Sequence, residues 1–310
     1  MKKLLWISLL AAGCASVPEF SETDPAGSVW SRCADGDGVV AVAVVKDGLP
    51  AFAGDPKAIF PVGVLSEHFV IEAALRLEER GEINLERPLT AFADFRLDPL
   101  YGRLSMRELM YMRSGLPEEL LNPYNPLDWF RDARTVRFPR LNGALAVGAI
   151  EERHEALRTG RTFYGEQRHS ATGFALFMHL LEKAAGKSVP EIVRDEITLP
   201  LQLRDTSFTP SAEKEPRIVG YDVRYDGLYS TVEDCVKFFA ASARVRSSPL
   251  LDRRETDGFA CEGRRGESGD AAVLLAYGVN SRDFLLIFSD GVSRPESSDF
   301  DSVRKALGKL

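Results

Sequence analysis

The sequence predicts an α+β fold: an antiparallel sheet built from both chain termini, flanked by helices, with a mainly helical lobe inserted between the two halves of the sheet. Three observations carry that prediction. Near the start, "GVVAVAVVKDGLPAFAGD" is a β-rich run, a Lys-Asp-Gly turn and a second short run, the pattern of a hairpin. Near the end, "AAVLLAYGVNSRDFLLIFSDG" repeats the design with two apolar runs around Asn280 and Ser281. Between them lie "SEHFVIEAALRLEERG", "SMRELMYMRSGLP", "SATGFALFMHLLEKAAGKSVPEIVRDEI" and "STVEDCVKFFAASA", mainly helical patterns started by Ser or ended by Gly or Pro.

Composition sets the bounds. The chain has 310 residues, 45% hydrophobic and 27% charged, enough for one large domain or two lobes around a shared core. The formal charge is -7 and no Lys/Arg run appears, which excludes a nucleic-acid partner that needs a clustered basic face. There is no internal repeat and no low-complexity linker.

Taken in order, the chain opens with "MKKLLWISLLAAGCAS": two lysines, an apolar run from Leu4 to Ala12, then small residues before a cysteine. This reads as an export signal, too short to span a bilayer as a mature helix. The "AAGC" ending resembles a bacterial lipoprotein cleavage site, with Ala11 where that pattern more often has Leu. The expectation is a signal peptide over 1–13, lipidation of Cys14, and a tether over 14–37. Removing 1–13 takes away Lys2 and Lys3 and no acid, so the formal charge moves from -7 to -9. Acyl chains, rather than attraction to anionic lipid, would then hold the protein at a membrane. A single domain follows over 38–310, with a sheet lobe over about 38–75 and 215–310 and a helical lobe over about 76–214.

Cys33, Cys235 and Cys261 remain after processing. An exported compartment permits a disulfide, and a Cys33–Cys261 pair stays open. Cys235 falls with Val232, Val236 and Phe239 on one helix face and is expected in the core. No C-x-x-C pair or His/Cys cluster points to structural zinc. His68, His154 and His179 stand isolated on helical patterns and are assigned surface or packing roles. The run "EIVRDE" reads as a solvated helix face.

The order "FPVGVLSEHF…LRLEERGEINLERPL", "LSMRELMYMRSGLP", "SATGFALFMHLLEKAAGKS", "ITLPLQLRDTSF" and "GLYSTVEDCVKFF" resembles the serine β-lactamase and penicillin-binding-protein-like hydrolases, most closely their class C and esterase-like branch. The likeness runs from about Val39 to Ser289 and implies the β-lactamase-like form of the α+β fold. It also implies three motif positions. The first is S-x-x-K at a helix start, where serine is the acyl-accepting nucleophile and lysine, one turn on, helps remove its proton. Counting back from Gly81 through Leu77 and Phe69 puts the serine position at Val64 and the lysine position at Glu67. Ser66 lies two residues late and reads as a helix N-cap or first-turn residue. The second is Y-x-N, a proton shuttle and an amide binder, which falls on His169 and Ala171. Tyr164 would need a five-residue slip to serve as the tyrosine and reads as packing. The third, K-T-G or H-x-G, supplies a cation and a strand edge for the substrate. It is placed at Glu267, Ser268 and Gly269, with Arg264 or Arg265 as the alternative that faces the cleft.

Losses at nucleophile, base, shuttle and amide binder remove every role that acyl transfer needs. The resemblance therefore implies an exported, lipid-anchored pseudoenzyme without a cofactor. Its expected partners are the membrane, through lipid on Cys14, and a peptidoglycan peptide or a protein in the old cleft. Two other readings stand beside it. One is a serine hydrolase with a different residue set: His169 as base, Ser170 or Ser66 as nucleophile, and Glu67 orienting the histidine. The other is a metal-binding cleft formed by Glu67, His169 and Glu267. With glutamates at the first and third motifs, the cleft is expected to have reversed its sign and to favour a cationic occupant.

Overall fold

The computed structural model describes residues 26, 39–93, 103–114, 171–208, 228–242, 244, 252–256, 259–268, 271–278 and 282–289. Strands β1 (Val39–Lys46) and β2 (Leu49–Gly54) form the first expected hairpin, paired antiparallel from Lys46↔Leu49 to Ala41↔Gly54. Its two connecting residues, Asp47 and Gly48, have φ of 50° and 79°. Two successive positive φ angles make the twist of the turn match that of the strands, and an Asp-Gly pair reaches them at little steric cost. A separate two-stranded pair joins β3 (Phe60–Pro61) to β4 (Tyr229–Ser230). Strands β5 (Asp252–Thr256), β6 (Phe259–Ser268), β7 (Ala271–Gly278) and β8 (Phe284–Ser289) form an antiparallel meander. Strand β8 closes on β1, giving the order β2-β1-β8-β7-β6-β5. The sheet is therefore built from both ends of the chain, as the sequence predicts.

Alternation along the central strands sorts side chains into two buried layers. Ala41, Ala43, Val45, Val273, Leu275, Tyr277, Phe284, Leu286 and Phe288 join the larger core with the helices. Val42, Val44, Leu274, Ala276, Leu285 and Ile287 lie on the opposite face, in a second cluster that includes Ala26. Ala26, within the segment expected as a tether, is fully buried there.

Helix α1 (Ser66–Glu79) runs through the larger core. Phe69 stacks on Phe238 with ring centroids 3.7 Å apart and meets Phe239 edge-on at 6.2 Å. The helix ends in a Schellman motif: the Gly81 N–H donates to the Glu78 carbonyl and the Glu82 N–H to the Leu77 carbonyl. Gly81 has φ 74°, which a residue without Cβ adopts freely. A capping box of Ser105 and Glu108 starts the short helix α2 (Met106–Met110).

One expected helical stretch is divided. Helix α3 (Ala171–Ala185) stops at Gly186, and α4 (Val189–Val193) restarts with a capping box of Ser188 and Glu191. A π-helical segment, Arg194–Thr198, follows directly. This geometry corrects the reading of "EIVRDE" as a wholly solvated face. Glu191 and Arg194 are exposed, whereas Glu196 turns inward and takes two hydrogen bonds from the Arg80 guanidinium at 2.6 Å each. Arg76 Nη1 donates to the Glu196 carbonyl at 2.6 Å, so the C-terminal half of α1 is fastened to the π segment. Helix α5 (Val232–Ala241) is capped by Thr231, whose Oγ1 accepts from the Asp234 N–H. It places Cys235 in the core, as its spacing predicts. Among the described residues no helix is long and apolar enough to cross a membrane.

Candidate functional site

The expected cleft begins where β3 gives way to α1. The Val62 N–H donates to the Leu228 carbonyl at 2.9 Å, tying this entry to the residue before β4. A 3₁₀ turn over Gly63–Leu65 follows, and α1 starts at Ser66. The turn lies against β6 and β7, and α3 packs on α1. Thus the element carrying the first motif position meets the strand carrying the third.

Val64 is the central residue of this 3₁₀ turn. A valine side chain offers neither a nucleophilic atom nor a titratable proton. Glu67 occupies the first turn of α1, where a carboxylate complements the helix dipole, and it is 1% exposed. Ser66 is equally buried, and its hydroxyl donates to the Gly63 carbonyl within the 3₁₀ turn. That is the local role of a first-turn serine. His68 is 1% exposed and meets Phe239 edge-on at 6.2 Å, and His179 is 9% exposed, so both are packed rather than on the surface.

Ala171 is the first residue of α3. Tyr164, His169, Ser170 and Gly269 lie outside the described residues, as do Cys14, Cys33 and His154. Glu267 and Ser268 are the last two residues of β6, in register with Ala272 and Ala271. Arg264 is in register with Leu275 and Arg265 with Leu274. Paired residues on adjacent strands share a face. Leu275 belongs to the core that contains Leu65 and Phe69, while Leu274 belongs to the opposite cluster. The register therefore puts position 264 on the sheet face over which α1 begins. Positions 265 and 267 fall on the other face.

Two features of this region were not read from the sequence. First, β7 covers β6 from Cys261 to Ser268, but β5 pairs only with Phe259–Gly263. Among the described residues, the outer edge of β6 over 264–268 has no partner strand. Second, a buried polar network joins the start of α5 to β4 and to residues 205–206. Asp234 Oδ2 accepts from the Asp205 N–H at 2.9 Å and from the Thr206 hydroxyl at 3.1 Å, and Thr206 Oγ1 lies 2.7 Å from Ser230 Oγ. Its one sequence signal is the T-x-x-D spacing of Thr231 and Asp234, which marks a helix start. Among the described residues, no group of three His, Cys, Asp or Glu side chains gathers as a metal-holding set.

Comparison with known proteins agrees with this architecture. The Beta-lactamase family model matches residues 35–287. Among curated proteins no sequence relative is found. The octameric penicillin-binding protein homologue from Pyrococcus abyssi superposes with a TM-score of 0.62 at 18% identity, covering 91% of this chain and 76% of that one. D-amino acid amidase from Ochrobactrum anthropi SV3, complexed with L-phenylalanine amide, gives 0.66 at 16% identity, with 92% and 99% covered. A class C beta lactamase from Rhodobacter sphaeroides gives 0.61 at 15%, with 93% and 99% covered. At such identities the structures speak for the fold, and the family match, spanning most of the sequence, speaks for descent: the chain is a member of the β-lactamase family.

Proposed function

We propose that this protein is an exported, lipid-anchored member of the β-lactamase family that has lost acyl transfer and binds an extended peptide, of the cell-wall or protein type, in the old cleft. The observation that carries the reading is the pair Val64 and Glu67 at the start of α1, set in an otherwise intact frame. A valine at the nucleophile position forms no acyl bond, and a glutamate at the base position repels a developing oxyanion. The edge of β6 over 264–268, which among the described residues has no partner strand, offers backbone N–H and C=O groups to an added strand, the usual way a sheet edge captures an extended peptide.

The alternative serine-hydrolase reading has less support, because the Ser66 hydroxyl is committed to the Gly63 carbonyl. The metal-cleft reading is weakened by the β6 register, which sets position 267 on the sheet face away from α1. The same register changes the expected charge of the cleft. Positions 262 and 264, a glutamate and an arginine, lie on the α1 side rather than 267, so the third motif no longer adds an acid at 267 to Glu67.

A labelled penicillin and a fluorophosphonate probe test the loss of chemistry. Neither is expected to label the protein, and stoichiometric labelling traced to any serine overturns the reading. For the anchor, a Cys14→Ser variant is expected to leave the membrane fraction, and an unchanged distribution argues for plain secretion.

A further inference from the structure

Ala26 is fully buried and belongs to the cluster formed by Val42, Val44, Leu274, Leu285 and Ile287 on one face of the sheet. That face is opposite the one over which α1 begins. The five side chains are themselves at most 1% exposed. Apolar groups withdrawn from water this completely are held by close packing. A residue seated among them is part of the core, not of a chain that swings free. Within a stretch that the sequence reads as a tether over 14–37, the chain is thus fixed to the domain at position 26.

We propose that the N-terminal segment is seated on the outer face of the sheet at Ala26, so that lipid on Cys14 suspends the domain from that face and holds it close to the membrane. The inference rests on the lipid-anchor reading above and gives it a distance. Twelve residue steps separate Cys14 from Ala26. At about 3.3–3.6 Å for each step of a fully extended chain, the attachment point lies at most about 40 Å from the lipid. A tether running free to position 38 would double that limit, to about 80 Å. The anchor also departs from the side of the sheet opposite α1, so attachment leaves the cleft unobstructed. The ligand met by the cleft is then one presented close to the lipid surface.

The test uses the lipidated full chain on vesicles, in a Cys33→Ser/Cys261→Ser background. A donor dye is placed on Leu49→Cys, an exposed position, and an acceptor dye on the lipid headgroups. A Gly/Ser segment of about 24 residues inserted after Glu19 adds about 25–30 Å of root-mean-square length and should lower energy transfer about twofold. The same segment inserted after Asp35, beyond Ala26, should leave the transfer as in the parent. Equal losses from the two insertions overturn the proposal, since a tether free to position 38 lengthens alike wherever it is extended. Ala26→Asp puts a charge into an apolar cluster and should raise the unfolding constant of the same chain about tenfold or more, read as a fall in the urea midpoint. An unchanged midpoint likewise overturns the proposal. Cys14→Ser tells the two readings apart. A parent with no more energy transfer than that variant removes the lipid anchor and the distance that follows from it, while the urea midpoint of Ala26→Asp still decides the seating.

Discussion

Replacing Asp234 by alanine is expected to cost about 3–5 kcal/mol of folding stability, because two buried donors lose an ionised acceptor. Asp234 is 2% exposed and sits in the first turn of α5. Its Oδ2 accepts the Asp205 N–H at 2.9 Å and the Thr206 hydroxyl at 3.1 Å, and Oδ1 accepts from Lys237 Nζ at 2.8 Å. A hydrogen bond to a charged group contributes about 1.5–3 kcal/mol, so the two buried bonds total about 3–6 kcal/mol. The Lys237 side chain is 50% exposed. That pair is therefore discounted to about 0.3 kcal/mol. Water entering the vacated space recovers part of the loss, which favours the lower half of the range. Asp234→Asn keeps the shape and one acceptor oxygen without the charge and should cost about half as much. The assay is urea unfolding of residues 15–310, with the change read as a shift in midpoint at constant slope. An alanine variant within about 1 kcal/mol of the parent would refute the reasoning, since one satisfied hydrogen bond alone exceeds that. The effect should also reach the cleft. The segment held by Asp234 pairs with Tyr229 through Ser207, at 3.0 and 2.8 Å, and β4 in turn pairs with the strand that leads into the Val64 turn.

Two further predictions concern titration. Burial, with the Asp234 charge adding and a hydrogen bond with Ser230 opposing, pushes the Cys235 thiol up to about 12. In a Cys14→Ser/Cys33→Ser/Cys261→Ser background the native protein should resist a thiol reagent near neutral pH and react once unfolded in urea; rapid stoichiometric labelling of the native form would contradict the packing described. Four carboxylates, three exposed and Asp195 half-buried, are held below their ordinary values: Glu79 by a hydrogen bond from Arg244, Glu82 by one from Arg80, Glu191 by Ser188, and Asp195 by Lys187 and then Arg194. Each folded-state value lies below the unfolded one. The stability they contribute is therefore complete above the ordinary 4.5 of glutamate and 3.8 of aspartate, and is lost as pH falls through the lower folded values. The melting temperature should decline on going from about pH 6 to about pH 3, less steeply for Asp195→Asn and in high salt. A melting temperature that rises over that interval would show the sign to be wrong.

Much of the fold was legible because local chemistry and tertiary structure agree. The β1–β2 hairpin rests on the Asp47-Gly48 turn, and β7 and β8 are apolar enough to be read alone. Strand β6 was not legible. "FACEGRRGES" has few apolar anchors, and it becomes a ten-residue strand through its hairpin ladder with the apolar β7 that follows it, a pairing that overrides weak intrinsic preference. The same blindness affected the site. The frame from Gly81 back to Val64 lies within one helix and its leading turn, where positions can be assigned by counting. Choosing between Arg264 and Glu267 required the register of a polar strand, and a shift by an odd number of residues exchanges the two faces of the sheet. The inward turn of Glu196 was likewise hidden, because a π-helical segment changes the angular position of every residue that follows in a helical count.

The union of β1 with β8 ties the order of synthesis to the order of folding. Asp47 and Asp283 are bonded across a separation of 236 residues, so β1 is made long before the strand that completes its pairing. Closing so long a loop is entropically costly until the whole sheet can reward it, so topology of this kind folds slowly. The early hairpin has to wait with one edge open while the rest of the chain emerges. Under the export proposed above, that delay would keep the polypeptide thin enough to be threaded through a membrane before its sheet closes.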